Sequence, residues 1–220
     1  MKGLIKQLLR ESLLDEEAMR LKHLPKEVGL FVRGGGETTL VLMDPTTNDV
    51  YAMIDANQIN DNYHVGGVAA ETGFGPFIYE LMMMLLNIKG KGLMPNREGD
   101  IKQEAFEVWA RFFSRNDVRK EIIEPFNLDG SFNKKYRVDI LTGEHDTFHD
   151  SEDFREFYTE LSKNDKNVLN IFNCVYYLQP NNDYSVLLNR GLAYEHQGVS
   201  LVNVIRKGNE YFSKKYSESL

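Results

Sequence analysis

One segment constrains the fold more than any other: VAAETGFGPFIYELMMMLL, residues 68–86. It joins a strand-like run to an apolar, helix-like run through a turn that holds Gly73, Gly75 and Pro76. Proline suits the first helical turn because its missing N–H has no intrahelical partner there. The run Met82–Met84 predicts a helix packed in a core. The glycine turn leaves two interpretations open, namely an anion held by backbone N–H groups or a sharp connection between strand and helix.

The flanking residues predict further strands and a second helix. The runs EVGLFV, TTLVLMD and DVYAMIDAN are rich in β-branched residues, and the polar turn PTTN makes the last two a hairpin. The triplet Gly34–Gly36 separates the first two strands and predicts a flexible turn, because no helix follows it. YHVGGVAA predicts another strand and KGLMP a short one. In DIKQEAFEVWARFFSRNDV, Trp109 and Phe112 share one face of a predicted helix.

Three parts of the chain differ in pattern. Residues 1–25 carry a leucine-rich stripe typical of an amphipathic helix, which either packs on its own domain or binds a groove of a partner protein. Residues 26–125 form the predicted core. In residues 126–220 we expect a mostly helical part. KYRVDIL predicts a strand, SEDFREFYTELSKNDKNVLNIFNCVYYL predicts helix with a break near KNDKN, and SLVNVIRKGNEYFSKKY predicts a closing helix. This part is either an addition or the second half of the same domain.

Composition excludes several classes of protein. The net charge of -7 argues against a nucleic-acid binder that needs a basic face. No run approaches the roughly 20 apolar residues of a membrane span. The single cysteine, Cys174, lies in an apolar run, which predicts a buried, inert thiol and no disulfide. We therefore expect a cytoplasmic protein without a nucleic-acid or membrane partner.

The pattern AAETGFGPFIYEL, GLMP and AFEVWARFF, with the strands before it, resembles the core of GNAT-type acetyl-CoA-dependent N-acyltransferases over roughly residues 27–120. The fuller pattern, which includes GLMPNR, is similar to small GNAT-like proteins encoded by tailed bacteriophages. The resemblance implies an α+β, three-layer fold with a central mixed, mostly antiparallel sheet flanked by helices. It also implies that Gly73, Phe74 and Gly75 hold the pyrophosphate of acetyl-CoA with backbone N–H groups and the helix dipole.

Four other residues are candidates for the chemistry. Glu71 or His64 could accept a proton from an amine, although a surface role suits each of them too. Tyr79, on the helix after the turn, is a candidate proton donor or a packing residue. Arg97 follows the short strand, where it could bind a phosphate or carboxylate, or pair with nearby acidic residues.

Two departures from the family pattern bear on function. Ala70 stands where Gln or Arg is usual, and Trp109 stands where a tyrosine often protonates the departing thiolate. Two functions therefore remain open. One is transfer of an acyl group from acetyl-CoA to an amine. The other is a non-catalytic GNAT-like structural or interaction protein, such as a bacteriophage particle component, located in the host cytoplasm or the virion.

The stretch EHDTFHD places His145 and His149 four residues apart, among carboxylates. Without a distant further ligand, it predicts a polar loop before a helix, and we predict no metal site. An open cleft from Gly73 to Arg97, between the strands YHVGGVAA and KGLMP, would favour the enzyme. Side chains from residues 126–220 that filled the cleft would argue against it.

Overall fold

The computed structural model describes residues 24–96, 103–123, 170–171 and 173–218. Nearly all of the predicted N-terminal helix lies outside these ranges. So do Arg97, the two histidines of EHDTFHD, the predicted strand KYRVDIL and most of the predicted helix that begins SEDFREFY. The predictions made for those residues stay predictions.

Four antiparallel strands open the chain as the alternating pattern predicts. They are β1 (Gly29–Arg33), β2 (Glu37–Asp44), β3 (Asp49–Ile59) and β4 (Asn62–Ala70). Each strand pairs with the next one in the chain. The glycine triplet connects β1 to β2, as predicted for a turn.

The glycine turn leads into helix α1 (Gly75–Ile88), which is followed by β5 (Leu93–Met94) and α2 (Gln103–Ser114). Pro76 lies in the first turn of α1, and residues 77–86 are all buried. A helix that is apolar on every side must be enclosed by other elements, so the core position of the methionine run is confirmed. β5 pairs with β4 in parallel, and it is the only parallel pair among the described strands.

Two short strands complete the sheet, β6 (Arg119–Ile122) and β7 (Cys174–Tyr177). The strand order is β1-β2-β3-β4-β5-β7-β6, so β7 lies between β5 and β6. The sequence-based prediction of a helix through Cys174 is wrong, because an apolar run of this length fits a buried strand as well as a buried helix. The thiol is buried as predicted, and burial raises its pKa to about 11.

The last two helices are α3 (Asn182–His196) and α4 (Leu201–Glu218). Only α4 was predicted from the sequence. Leu40 and Leu42 of β2 share a hydrophobic cluster with α1 and α2, whereas Val41 shares a second cluster with Val204 of α4. Because successive side chains of a strand point to opposite faces, α4 covers the face opposite α1 and α2.

The described elements therefore form an α+β structure with a seven-stranded, mixed and mostly antiparallel sheet. The predicted sheet flanked by helices is confirmed. Residues 174–218 contribute the strand between β5 and β6 and both helices near β1, so they share the sheet and the core with the described residues before them. Among the helices described, none is both long enough and apolar enough to cross a membrane.

Candidate functional site

The candidate site lies where β4 and β5 separate. These parallel strands pair at only two positions, Tyr63 with Leu93 and His64 with Met94. β4 then continues to Ala70, whereas β5 ends. Beyond His64, the edge of β4 that faces away from β3 has no neighbouring strand in the described part of the chain. A free strand edge offers backbone N–H and C=O groups to an extended ligand.

A bulge in β4 marks the start of this opening. Asp55 of β3 pairs with Gly67 and Ala56 pairs with Val65, so Gly66 is the extra residue between the two pairs. A bulge of this kind bends its strand and increases the local twist. The bulge therefore turns β4 just beyond the last position at which β4 and β5 pair.

The loop from β4 to α1 ends in unpaired backbone donors. The N–H of Glu71 donates to the carbonyl of Tyr51 at 2.8 Å, and the N–H of Phe74 donates to the carbonyl of Glu71 at 2.9 Å. The N–H groups of Gly75 and Phe77 have no acceptor among the described residues, and no side chain caps the helix. Together with the helix dipole, they make this helix start favourable for an anion.

The glycines of this loop differ in why glycine is needed there. Gly73 has φ +90°, a backbone conformation that other residues rarely adopt. Gly75 has no such φ, and a Cβ added there meets no atom of the described residues within 4 Å. By contrast, a Cβ at Gly92 would lie 2.2 Å from a methyl group of Val175. Neither backbone conformation nor packing against the described residues therefore requires glycine at residue 75, whereas close approach of a ligand would.

Glu71 is held by α4. Its carboxylate accepts a hydrogen bond from the Tyr211 hydroxyl at 3.0 Å and forms an ion pair with Lys215 at 3.1 Å. Both partners lie about 140 residues later in the chain, so no local spacing could have identified them. The C-terminal helix thus anchors the first residue of the glycine loop.

His64 lies at the other end of β4. It is fully buried beside Met94, where β4 and β5 still pair. Seven residues of strand separate it from Glu71, which corresponds to roughly 20 Å. The structure therefore does not bring the two predicted proton acceptors together.

Tyr79 is part of an aromatic cluster in the core. Its ring lies edge-on to the ring of Trp109, with 5.1 Å between the ring centroids. The rings of Trp109 and Tyr176 also pack together, with 4.9 Å between their centroids. Burial raises the pKa of Tyr79 far above its ordinary value. The Trp109 side chain is almost completely buried in this cluster. The Tyr79 phenol is therefore placed as a packing group on α1.

The predicted cleft from Gly73 to Arg97 lies partly outside the described residues. Within them, the Phe212 ring of α4 lies against Gly67, where an added Cβ would be 2.8 Å from the ring. Thus a side chain from the C-terminal part reaches β4 on the face opposite α1. Among the described residues, none comes within 4 Å of a Cβ added at Gly73 or Gly75.

Comparisons with known proteins give no relative. No protein-family model matches the chain, and neither a curated protein nor a solved structure is significantly similar to it. Over the residues that the structure describes, no group of three or more His, Cys, Asp or Glu side chains is arranged to hold a metal ion. The site must therefore be interpreted from its own geometry.

Proposed function

We propose that this protein is a GNAT-like N-acyltransferase that binds acetyl-CoA and transfers its acyl group to an amine. The observation that carries the proposal is the separation of β4 from β5 directly before the glycine loop. A free strand edge suits the amide groups of an extended ligand, and the start of α1 suits its phosphates. The two features lie at the same end of β4.

The residues of the loop fit the pyrophosphate of acetyl-CoA. Since the N–H of Phe74 is bonded to Glu71, the donors that support the proposal are those of Gly75 and Phe77. The open space at Gly75 allows a phosphate close to the backbone. Acetyl-CoA would supply an activated thioester, and the chain would bind and orient it.

Catalysis by this chain would rest mainly on positioning. The Tyr79 phenol is buried in the core, and Trp109 has no acidic proton to give a thiolate. The Glu71 carboxylate, at the start of the loop, forms an ion pair with Lys215. Orientation of two reactants contributes several kcal/mol to catalysis without a dedicated acid.

A second candidate function is a non-catalytic structural or interaction protein. It is favoured by Trp109, which replaces the family's tyrosine and is packed against Tyr79 and Tyr176. In this arrangement the side chain at the position of the expected proton donor is a packing group of the core. The two candidate functions differ in whether the protein binds acetyl-CoA and whether it transfers the acyl group to an amine.

Thermal unfolding with and without millimolar acetyl-CoA tests the proposal. A ligand at about 100 times its dissociation constant stabilises the native state by roughly 2.7 kcal/mol, or about 5–10 °C for a chain of this size. We expect Gly75→Glu to abolish the shift, because a carboxylate then occupies the phosphate position. A glutamate in the first helical turn is favourable for the helix itself.

Gly36→Glu is the matched control. Gly36 also lies in open space without a positive φ, but in the turn before β2. It should keep the full acetyl-CoA shift. No shift in the wild-type protein would contradict the proposal, and a shift without release of free thiol in the presence of amines would favour the non-catalytic candidate.

A further inference from the structure

A carboxylate lies close to the start of α1, where the proposed function places phosphates. Glu71 is the first residue of the loop, and its carbonyl accepts a hydrogen bond from the N–H of Phe74 at 2.9 Å. This bond turns the loop back on itself, so that residues 71 and 74 are close in space. The Glu71 carboxylate therefore lies roughly 10 Å from the N–H of Gly75, about one Debye length at 0.1 M salt.

An uncompensated carboxylate at this place would oppose the binding of an anion. A pyrophosphate group carries several negative charges, and like charges at this separation repel one another in water when the salt concentration is low. The helix dipole and the N–H groups of α1 would then act against the charge of Glu71. A loop that binds phosphates is therefore expected to place a positive charge beside Glu71.

Helix α4 supplies that positive charge. The Nζ atom of Lys215 lies 3.1 Å from one carboxylate oxygen of Glu71 and 3.3 Å from the other. The hydroxyl of Tyr211 donates a hydrogen bond to the same carboxylate at 3.0 Å. Residues 211 and 215 are four apart, so they lie on one face of the helix. The ammonium group thus contacts both oxygens of the carboxylate and compensates its charge.

This ion pair is open to solvent. The exposed fraction of the side chain is 35% for Lys215 and 44% for Glu71. Ion pairs that are this exposed contribute little to the stability of a protein. Other cations of α4 pair within the helix, since Arg206 and Lys207 both contact Glu210. Lys215 contacts the loop instead, so the effect of its charge is exerted at the start of α1.

We propose that Lys215 is a specificity residue of the glycine loop, which allows the loop to bind a phosphate anion by compensating the charge of Glu71. The identity of this anion as the pyrophosphate of acetyl-CoA rests on the proposed function. The effect of Lys215 on the binding of inorganic pyrophosphate does not.

Titration calorimetry of the full chain at low salt, with acetyl-CoA and with inorganic pyrophosphate, tests this role. Lys215→Met should raise Kd about fivefold, the size expected for one charge acting on a diphosphate roughly 10 Å away in water. Glu71→Gln should lower Kd, because the charge of Lys215 is then uncompensated. The double variant, in which both charges are absent, should return to within about twofold of the wild type. If the pair only braced the loop, Glu71→Gln would weaken binding as Lys215→Met does.

Lys207→Met is the matched control. It removes the same charge from the same helix, about two turns from Lys215, where Lys207 pairs with Glu210 at 3.4 Å. It should leave Kd unchanged. The differences between the variants at residues 71 and 215 should also shrink at 1 M salt, where the Debye length is only about 3 Å.

The two ligands separate this role of Lys215 from the proposed function. If acetyl-CoA does not bind but pyrophosphate gives the expected order of Kd values, only the proposed function fails. If acetyl-CoA binds and Glu71→Gln does not strengthen its binding, the role of Lys215 fails and the proposed function stands. If neither ligand binds to the wild-type protein, both fail.

Discussion

At the scale of single residues, Arg115 joins the end of α2 to a buried carboxylate of α1. Its guanidinium pairs with Glu80, of whose side chain 7% is exposed, and with Asp117, of which 59% is exposed. We expect Arg115→Met to destabilise the protein by about 3–5 kcal/mol, because it removes one partner of a largely buried ion pair. Urea unfolding measures the difference.

Asp117→Asn is the control for this change. It removes only the exposed partner, so its cost should be about 0–1 kcal/mol. Adding Glu80→Gln to Arg115→Met should restore much of the lost stability, because the buried charge is then gone. Equal costs for the two single changes would contradict the assignment of Glu80 as the buried partner.

The carboxyl group of Asp55 predicts a pH dependence of stability. Burial and the charge of Glu37 raise its pKa, while hydrogen bonding from Thr39 and the charge of Arg33 oppose the rise. A raised native pKa means that the native state binds the proton more tightly than the unfolded state, so stability falls as pH rises from about 4 through the native pKa. Asp55→Asn should remove this decline and be more stable than the wild type at neutral pH.

Chemical unfolding of both proteins between pH 3.5 and 7 measures that difference. Asp49→Asn serves as the control and should follow the wild-type profile. A wild-type profile that stays parallel to that of Asp55→Asn over this range would show that the Asp55 pKa is not raised in the native state.

At the scale of elements, α3 packs against β1 through glycine. A Cβ at Gly191 would lie 2.1 Å from the carbonyl oxygen of Leu30, and Gly29 faces the same helix turn. Gly191→Ala should therefore cost at least about 2 kcal/mol, since backbone atoms must move apart. Gly36→Ala, which adds the same methyl group in open space, should be neutral or slightly stabilising. Thermal unfolding that shows equal effects would rule out this close contact.

The sequence predicts some of these elements and misses others for physical reasons. The alternating pattern of β1 to β4 and the proline at the start of α1 are local features of the sequence, so these elements are predicted correctly. β6 and α3 were missed because RKEI is a short, exposed edge strand and residues 182–196 carry few buried side chains. The prediction of a helix over the CVYY run is wrong, because four buried apolar residues have no period that distinguishes a strand from a helix.

The site is harder to predict than the elements. The glycine loop is contiguous in sequence, so its place before α1 could be predicted. The contacts of Glu71 with Tyr211 and Lys215 depend on how α4 crosses the sheet, which no spacing records.

At the scale of the whole molecule, the strand order predicts that residues 174–218 are needed for folding. β7 separates β6 from β5, and α4 covers Phe31, Val41 and Met53. A chain that ends at residue 125 should therefore lack a cooperative unfolding transition and should bind the dye ANS. The control is to add residues 126–220 back as a separate chain. Cooperative unfolding of the shortened chain would contradict the single shared core.

The same strand order has a consequence for synthesis on the ribosome. β5 emerges about 80 residues before its neighbour β7, and translation at roughly 5–20 residues per second makes that interval about 4–16 s. During this time a nascent chain presents β4 and β5 with an open edge and no strand to close it. Chaperones that shield strand edges should therefore raise the yield of folded protein, and slowing translation after β5 should lower it.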